Sequence, residues 1–250
     1  MDITRDDISA AGRRIAGDVR RTPLLRIAGR ELGVACAELW LKLEHLQVSG
    51  SFKARGMFHR MRANAVPAAG VVIASGGNAG IAVAHAARTL GVRAEVFVPE
   101  SSSEAKRARL AQLGAVVTVR GASYADALAA SLERQRATGA LLMHAYDQRE
   151  VVEGAGTLAA EVEADAGVPD RALVSVGGGG LIAGVAAWFA GRSRSATSRR
   201  RTCSPTMRSV PHSARSGTSC GSRSSQRRRC RSPPWRRARS SRAATRRSCS

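Results

Sequence analysis

Short apolar runs rich in β-branched residues alternate along the chain with segments whose apolar positions repeat at helical spacing. The apolar runs predict buried strands over residues 37–43, 70–74, 94–98, 115–119, 140–144 and 172–176. The helical spacing predicts helices over residues 5–17, 52–63, 78–90, 103–113, 124–138, 149–165 and 181–190. Strand and helix in regular alternation predict an α/β fold in which helices cover a parallel sheet.

Composition divides the chain near Gly191. The whole sequence holds 40 Lys and Arg against 19 Asp and Glu, a formal charge of +21. Residues 192–250 contribute 18 Arg and 16 Ser but no Lys, Asp, Glu, Leu or Ile, so most of the net charge lies there. Such a segment cannot bury enough apolar surface to fold, and we expect a disordered tail. Residues 1–191 have the composition of a soluble globular protein.

The start of the chain carries Asp2, Asp6 and Asp7 and lacks the uninterrupted apolar core of a secretory signal, so we expect a cytoplasmic protein. Residues 172–189 are uncharged and are followed by arginines, as in a membrane span. Four consecutive glycines within them disfavour a spanning helix.

Lys53 is the first candidate for catalytic chemistry, because the chain uses Arg for nearly all its positive charge and has only three lysines. It lies among small residues at the start of a predicted helix. A lysine amine that loses its proton when desolvated can form a Schiff base, which a guanidinium cannot. The other interpretation of Lys53 is a solvated lysine on a helix surface.

Two strand-to-helix turns consist of small residues whose backbone N–H groups can converge on an anion. The first turn is formed by Ser75, Gly76, Gly77, Asn78 and Ala79. Its other interpretation is a tight turn in which Asn78 caps the helix. The second turn is formed by Gly177, Gly178, Gly179 and Gly180. Because no acidic residue follows it at dinucleotide-site spacing and no Walker lysine is present, it suits the phosphate of a smaller cofactor better.

Together these motifs resemble the pyridoxal-phosphate enzymes of fold type II, the tryptophan synthase β-like family, and within it the threonine and serine dehydratases and the serine racemases. The resemblance also includes Arg21-Thr22-Pro23-Leu24, Leu41-Lys42-Leu43-Glu44, Tyr124-Ala125-Asp126-Ala127 and Gly154-Ala155-Gly156-Thr157. It implies a smaller domain over residues 48–147, inserted into a larger domain formed by residues 1–47 and 148–191. The larger domain would be incomplete in this chain.

The resemblance implies pyridoxal 5'-phosphate as the cofactor, with Lys53 as the Schiff-base lysine and proton-transfer base. Phe52 would pack on the pyridine ring, Asn78 would bond the ring hydroxyl, and Gly177 to Gly180 would hold the phosphate. The loop from Ser75 to Ala79 would hold the substrate carboxylate. The implied reaction is loss of water from threonine or serine, giving a 2-keto acid and ammonia, in an enzyme that is a homodimer when intact.

Two positions depart from the family pattern. Position 76 is Gly where the racemases place a Ser on the opposite cofactor face, and position 79 is Ala where many relatives have His. Without a second base there, elimination is favoured over racemisation. Serine racemisation stays the alternative activity.

The segment after Gly191 interrupts the larger domain, since the family continues there with further strands and helices. These include the polar residue that faces the pyridine nitrogen. The abrupt change resembles translation in the wrong frame, and we expect the chain as written to bind the cofactor weakly and to be a poor enzyme. The alternative is an inactive truncated product with a basic nucleic-acid-binding arm. We expect no nucleic-acid or membrane partner, and the cysteine spacing predicts no metal site.

Overall fold

The structure is a computed structural model that describes residues 2–190. Its helices are α1 (Arg5–Ile15), α2 (Lys53–Ala63), α3 (Asn78–Leu90), α4 (Glu104–Gln112), α5 (Tyr124–Thr138), α6 (Arg149–Ala166) and α7 (Gly180–Phe189). Its strands are β1 (Leu24–Ala28), β2 (Glu38–Lys42), β3 (Val71–Ala74), β4 (Ala94–Val98), β5 (Val116–Val119) and β6 (Leu141–Leu142). Short 3-10 helices, Gly29–Leu32 and Glu44–Leu46, lie on either side of β2.

Strands β5, β4, β3 and β6 form a parallel sheet in that order. Since successive strand residues point to opposite faces, Val71 and Ile73 of β3 join a core cluster that includes residues of α2 and α3. Val72 and Ala74 point the other way and pack with Ala127 of α5. The predicted parallel sheet with helices on both faces is therefore confirmed.

Local signals in the sequence set the ends of the helices. Gly91 ends α3 in the left-handed region at φ 69°, where its N–H reaches the carbonyl oxygens of the last turn. Ser123 begins α5 with a capping box, in which its hydroxyl accepts from the Asp126 N–H and the Asp126 carboxylate accepts from the Ser123 N–H. These signals explain why α3 and α5 match their predicted bounds.

An antiparallel hairpin near the N-terminus was not predicted. Strand β1 pairs with β2, which was predicted as a strand only of the parallel sheet, with Leu24 opposite Lys42 and Ala28 opposite Glu38. The segment Leu24-Leu25-Arg26-Ile27-Ala28 has no regular apolar–polar alternation, so its sequence carries no clear strand signal.

The predicted strand over residues 172–176 is wrong. This stretch is irregular, and Leu173 and Val176 have exposed fractions of 93% and 62%. A buried parallel strand needs hydrogen-bonded neighbours and covered faces. Within residues 2–190 no strand lies beside this stretch to provide them.

Helices α1, α2 and α7 pack against α6. Ile8 of α1, Ala159 of α6, and Val185 and Trp188 of α7 form a buried cluster. Of the helices in the described range, none is long and apolar enough to cross a membrane. The predicted division at residues 47 and 147 into two domains stays a prediction, and the predicted tail over residues 192–250 lies outside the described residues.

Candidate active site

The predicted site residues lie on turns that follow or precede well-defined elements. The loop from Ser75 to Gly77 joins the carboxyl end of β3 to α3, Lys53 begins α2, and the glycine turn ends where α7 begins. In parallel α/β sheets, ligands bind beyond the carboxyl ends of the strands. A binding site is therefore expected at this edge of the sheet.

Lys53 is the first residue of α2, preceded by Phe52 as the N-cap. Its Nζ donates a hydrogen bond to the carbonyl oxygen of Ala145 and lies 4.9 Å from the centre of the Phe52 ring. Burial penalises the charged ammonium and lowers the pKa of Lys53. A lowered pKa increases the fraction of free amine, which is the nucleophilic and basic form.

A small cavity surrounds the Lys53 amine. It is lined by Phe52, Lys53, Gly56, Ala145, Tyr146, Val151, Ala155, Gly180 and Leu181. The structure thus brings the predicted residues Phe52, Lys53 and Gly180 together. The residues Ser75 to Ala79 and Gly177 to Gly179 do not line this cavity.

The glycine turn presents bare backbone at the start of α7. Gly179 is the N-cap in the left-handed region at φ 91°, a conformation that side chains strain. A Cβ on Gly178 would overlap the Tyr146 ring, and a Cβ on Gly180 would lie 2.8 Å from the Tyr146 carbonyl oxygen. Because the first N–H groups of a helix have no acceptors within it, this turn can bind a phosphate.

The loop after β3 is similarly free of side-chain bulk. The Ser75 hydroxyl accepts from the Gly77 N–H at 3.3 Å. Asn78 is exposed and is the first residue of α3, with Gly77 rather than Asn78 as the N-cap. Ala79 is buried in the core cluster, so only its backbone can face a ligand. The tight-turn interpretation with Asn78 as the cap is therefore wrong.

Sequence reasoning missed Ala145 and Tyr146. Both follow β6, and Tyr146 packs edge-on against His144 with ring centres 4.6 Å apart. Burial lowers the pKa of His144, and the nearby Lys53 charge lowers it further, although Asp147 opposes the change. The signal was present in the sequence, because His144 to Asp147 come directly after a predicted strand at the ligand-binding edge.

The residues present fit the parts of pyridoxal phosphate. Its aldehyde needs an uncharged amine, its ring an aromatic neighbour and its phosphate a turn of free N–H groups. Lys53, Phe52 and the glycine turn offer these three. The cavity itself is about 10 Å³, which is room for about one water molecule. A ring therefore needs the exposed Tyr146 side chain to turn away.

The family profile described as pyridoxal-phosphate dependent enzyme matches residues 15–225 of the chain. The chain belongs to this family. The predicted resemblance and the predicted cofactor of the family are thus confirmed. The matched range extends past Gly191 into the arginine- and serine-rich segment.

Three similar proteins give the family membership more detail. The catabolic L-threonine dehydratase TdcB of Staphylococcus aureus strain USA300 is 33% identical over 186 residues, covering 74% of this chain and 54% of its own. The threonine deaminase of T.th. has a TM-score of 0.69 and 39% identity, covering 74% and 60%. Maize serine racemase has a TM-score of 0.70 and 31% identity, covering 75% and 57%. The chain spans about half the length of the curated relatives it matches.

Proposed function

We propose that this site serves the pyridoxal-phosphate-dependent removal of water from a hydroxy amino acid, threonine or serine, giving a 2-keto acid and ammonia. The observation that carries the proposal is the Lys53 amine, whose pKa burial lowers, in a cavity bounded by Phe52 and the last residue of the glycine turn. The names of the threonine dehydratase and threonine deaminase relatives support the substrate class.

The cofactor, when bound, withdraws electrons from the attached amino acid and so acidifies its α-C–H. In this proposal Lys53 anchors the cofactor and then accepts the α-proton at Nζ. Phe52 excludes water from one face of the ring, and the N–H groups of Gly177 to Gly180 hold the phosphate. The N–H groups from Ser75 to Ala79 orient the substrate carboxylate, and the Asn78 amide bonds the ring hydroxyl.

Racemisation of serine is the second candidate, because serine racemases are among the similar structures. It requires a proton donor on the opposite face from Lys53. Gly76 offers no side chain, and a Cβ built on it points toward the Ser102 hydroxyl at 3.0 Å and Val98 at 3.3 Å. This direction supports elimination over racemisation.

The same proposal includes the remaining expectations from the sequence. These are a cytoplasmic location, a homodimer in the intact enzyme, and neither nucleic acid nor a membrane as a partner. The assignment of site residues also belongs to the proposal.

The test measures products formed by the full chain supplied with pyridoxal phosphate. We expect equal amounts of keto acid and ammonia from L-threonine or L-serine, even if turnover is slow, and no product from Lys53→Ala. Lys106→Ala is the matched control, because Lys106 is an exposed residue of α4. D-serine formed without keto acid would favour the racemase, and equal turnover by Lys53→Ala would refute the proposal.

A further inference from the structure

Arg55 lies two residues after Lys53 on α2, and its side chain is completely buried. Its guanidinium forms paired hydrogen bonds with two carboxylates. Nε and Nη2 donate to Glu44 at 2.8 and 2.7 Å, and Nη1 and Nη2 donate to Glu161 at 2.7 and 2.9 Å. Arginine in this arrangement is fixed in orientation as well as in position.

The surrounding groups complete a neutral cluster, which we call the Arg55 cluster: Arg55, Lys42, Glu44 and Glu161. Lys42 contacts Glu161 at 2.6 Å, and the Thr22 hydroxyl donates to Glu44. Burial alone would lower the pKa of Arg55, but its bonds to Glu44 and Glu161 outweigh burial and raise it. Arg55 therefore stays charged at every pH at which the protein is folded.

The cluster holds the turn of α2 from which Lys53 projects. Residues two apart on a helix do not share a face, so Arg55 and Lys53 point in different directions from one turn. The N-cap Phe52 provides no side-chain hydrogen bond to this turn. Thr157 and Glu161 of α6 bind Arg55 instead, and the turn is thereby tied to a second helix.

Stability alone does not account for such a cluster, because buried ion pairs can often be replaced by apolar residues without loss of stability. What they do provide is a fixed geometry. We propose that Arg55 is a positioning residue that holds the first turn of α2 so that the Lys53 amine stays desolvated beside Ala145. This inference rests on the proposed function, in which Lys53 carries the cofactor.

The first test compares Arg55→Lys and Glu161→Gln with Arg62→Lys in the full chain. Arg62 is the matched control, because it lies on the same helix but pairs with Asp18 on the exposed side. The readout is the pH dependence of borohydride-trapped pyridoxal phosphate on Lys53, measured by mass spectrometry, with circular dichroism to confirm folding. We expect the pH midpoint to rise and the cofactor affinity to fall by about tenfold or more in the first two variants only.

The second test uses a cavity of about 320 Å³ that Arg55, Thr157, Glu161 and Arg21 help to line, with Ile8 and Ile15 of α1. This cavity gives a small cation access to the position of the guanidinium. In Arg55→Ala, guanidinium at a concentration far below that which unfolds proteins should restore the trapping of cofactor. Tetramethylammonium at the same concentration should not, because it cannot donate hydrogen bonds.

The outcomes separate this inference from the proposed function. If the wild-type chain traps no cofactor at Lys53, the proposed function fails and the inference with it. If the wild type traps cofactor and folded Glu161→Gln and Arg55→Lys keep its pH midpoint and affinity, only the positioning role is wrong. If Arg55→Lys does not fold, Glu161→Gln alone decides, since it keeps Arg55 and its bonds to Glu44.

Discussion

Lys53 differs from an ordinary surface lysine in one measurable respect, the pH at which its amine loses its proton. Burial disfavours the ammonium and lowers the pKa of Lys53. The free amine therefore forms at a lower pH than in an unfolded peptide. We expect the midpoint for reaction of Lys53 with an aldehyde reagent to lie below that of a lysine peptide. Peptide mapping across a pH series measures it, and equal midpoints would contradict the account.

The contact between Gly178 and Tyr146 provides a second prediction at this scale. A methyl group on Gly178 would overlap the Tyr146 ring, so Gly178→Ala should lower the free energy of unfolding by about 1–3 kcal/mol. Gly17→Ala is the control, because no atom lies within 4 Å of the added Cβ, and its effect should be within about 0.5 kcal/mol. Urea titration measures both, and equal midpoints would show that Tyr146 yields freely.

Individual residues also show where sequence reasoning ended. Lys53 and Phe52 could be identified because a scarce residue type and a helix start are visible in the sequence. Tyr146 could not be placed against Gly178, because that contact joins residues from separate turns. The direction of a Cβ at Gly76, toward Ser102, likewise depends on the backbone path.

At the scale of elements, α2 and α6 cross with their backbones in close approach near the site. A Cβ on Gly154 would lie 2.6 Å from the Arg55 carbonyl oxygen, and a Cβ on Gly56 would lie 2.7 Å from that of Val151. Backbone atoms cannot rotate away as side chains do. Gly154→Ala should therefore separate the helices, lower the melting temperature and weaken cofactor attachment to Lys53.

Gly12→Ala in α1 is the matched control for that variant. The nearest atom to its Cβ would be the Thr157 Cγ2 at 3.8 Å, an ordinary contact. Alanine is a better helix former than glycine by roughly 0.5–1 kcal/mol, so Gly12→Ala should be neutral or stabilising. Thermal melting of both variants tests this contrast, and a stable Gly154→Ala protein would contradict the close packing.

The elements themselves were predicted best where the signals are local. The bounds of α3, α5 and β4 follow from glycine caps, a capping box and a compact apolar run. The stretch 172–176 has the same apolar character yet is not a strand, because a strand also depends on a neighbour. The β1–β2 hairpin was missed for the converse reason, since pairing there compensates for a weak local pattern.

At the scale of the whole molecule, the described residues expose apolar side chains close to the glycine turn. Leu173, Val176 and Ile182 are exposed by 93%, 62% and 39%. Exposed apolar patches promote association. We expect light scattering to show concentration-dependent association, reduced in a Leu173→Gln and Val176→Thr double variant. Leu32→Gln, at an exposed residue of the N-terminal hairpin region, should leave it unchanged, and equal association of all three proteins would contradict this.

The central claim is that Lys53 binds pyridoxal phosphate covalently, and borohydride reduction followed by mass spectrometry of the full chain tests it most directly. The account predicts one reduced cofactor per chain, located on the peptide that contains Lys53 and absent from Lys53→Ala. Lys106→Ala should retain it. Reduced cofactor distributed over Lys42, Lys53 and Lys106, or retained by Lys53→Ala, would contradict the account.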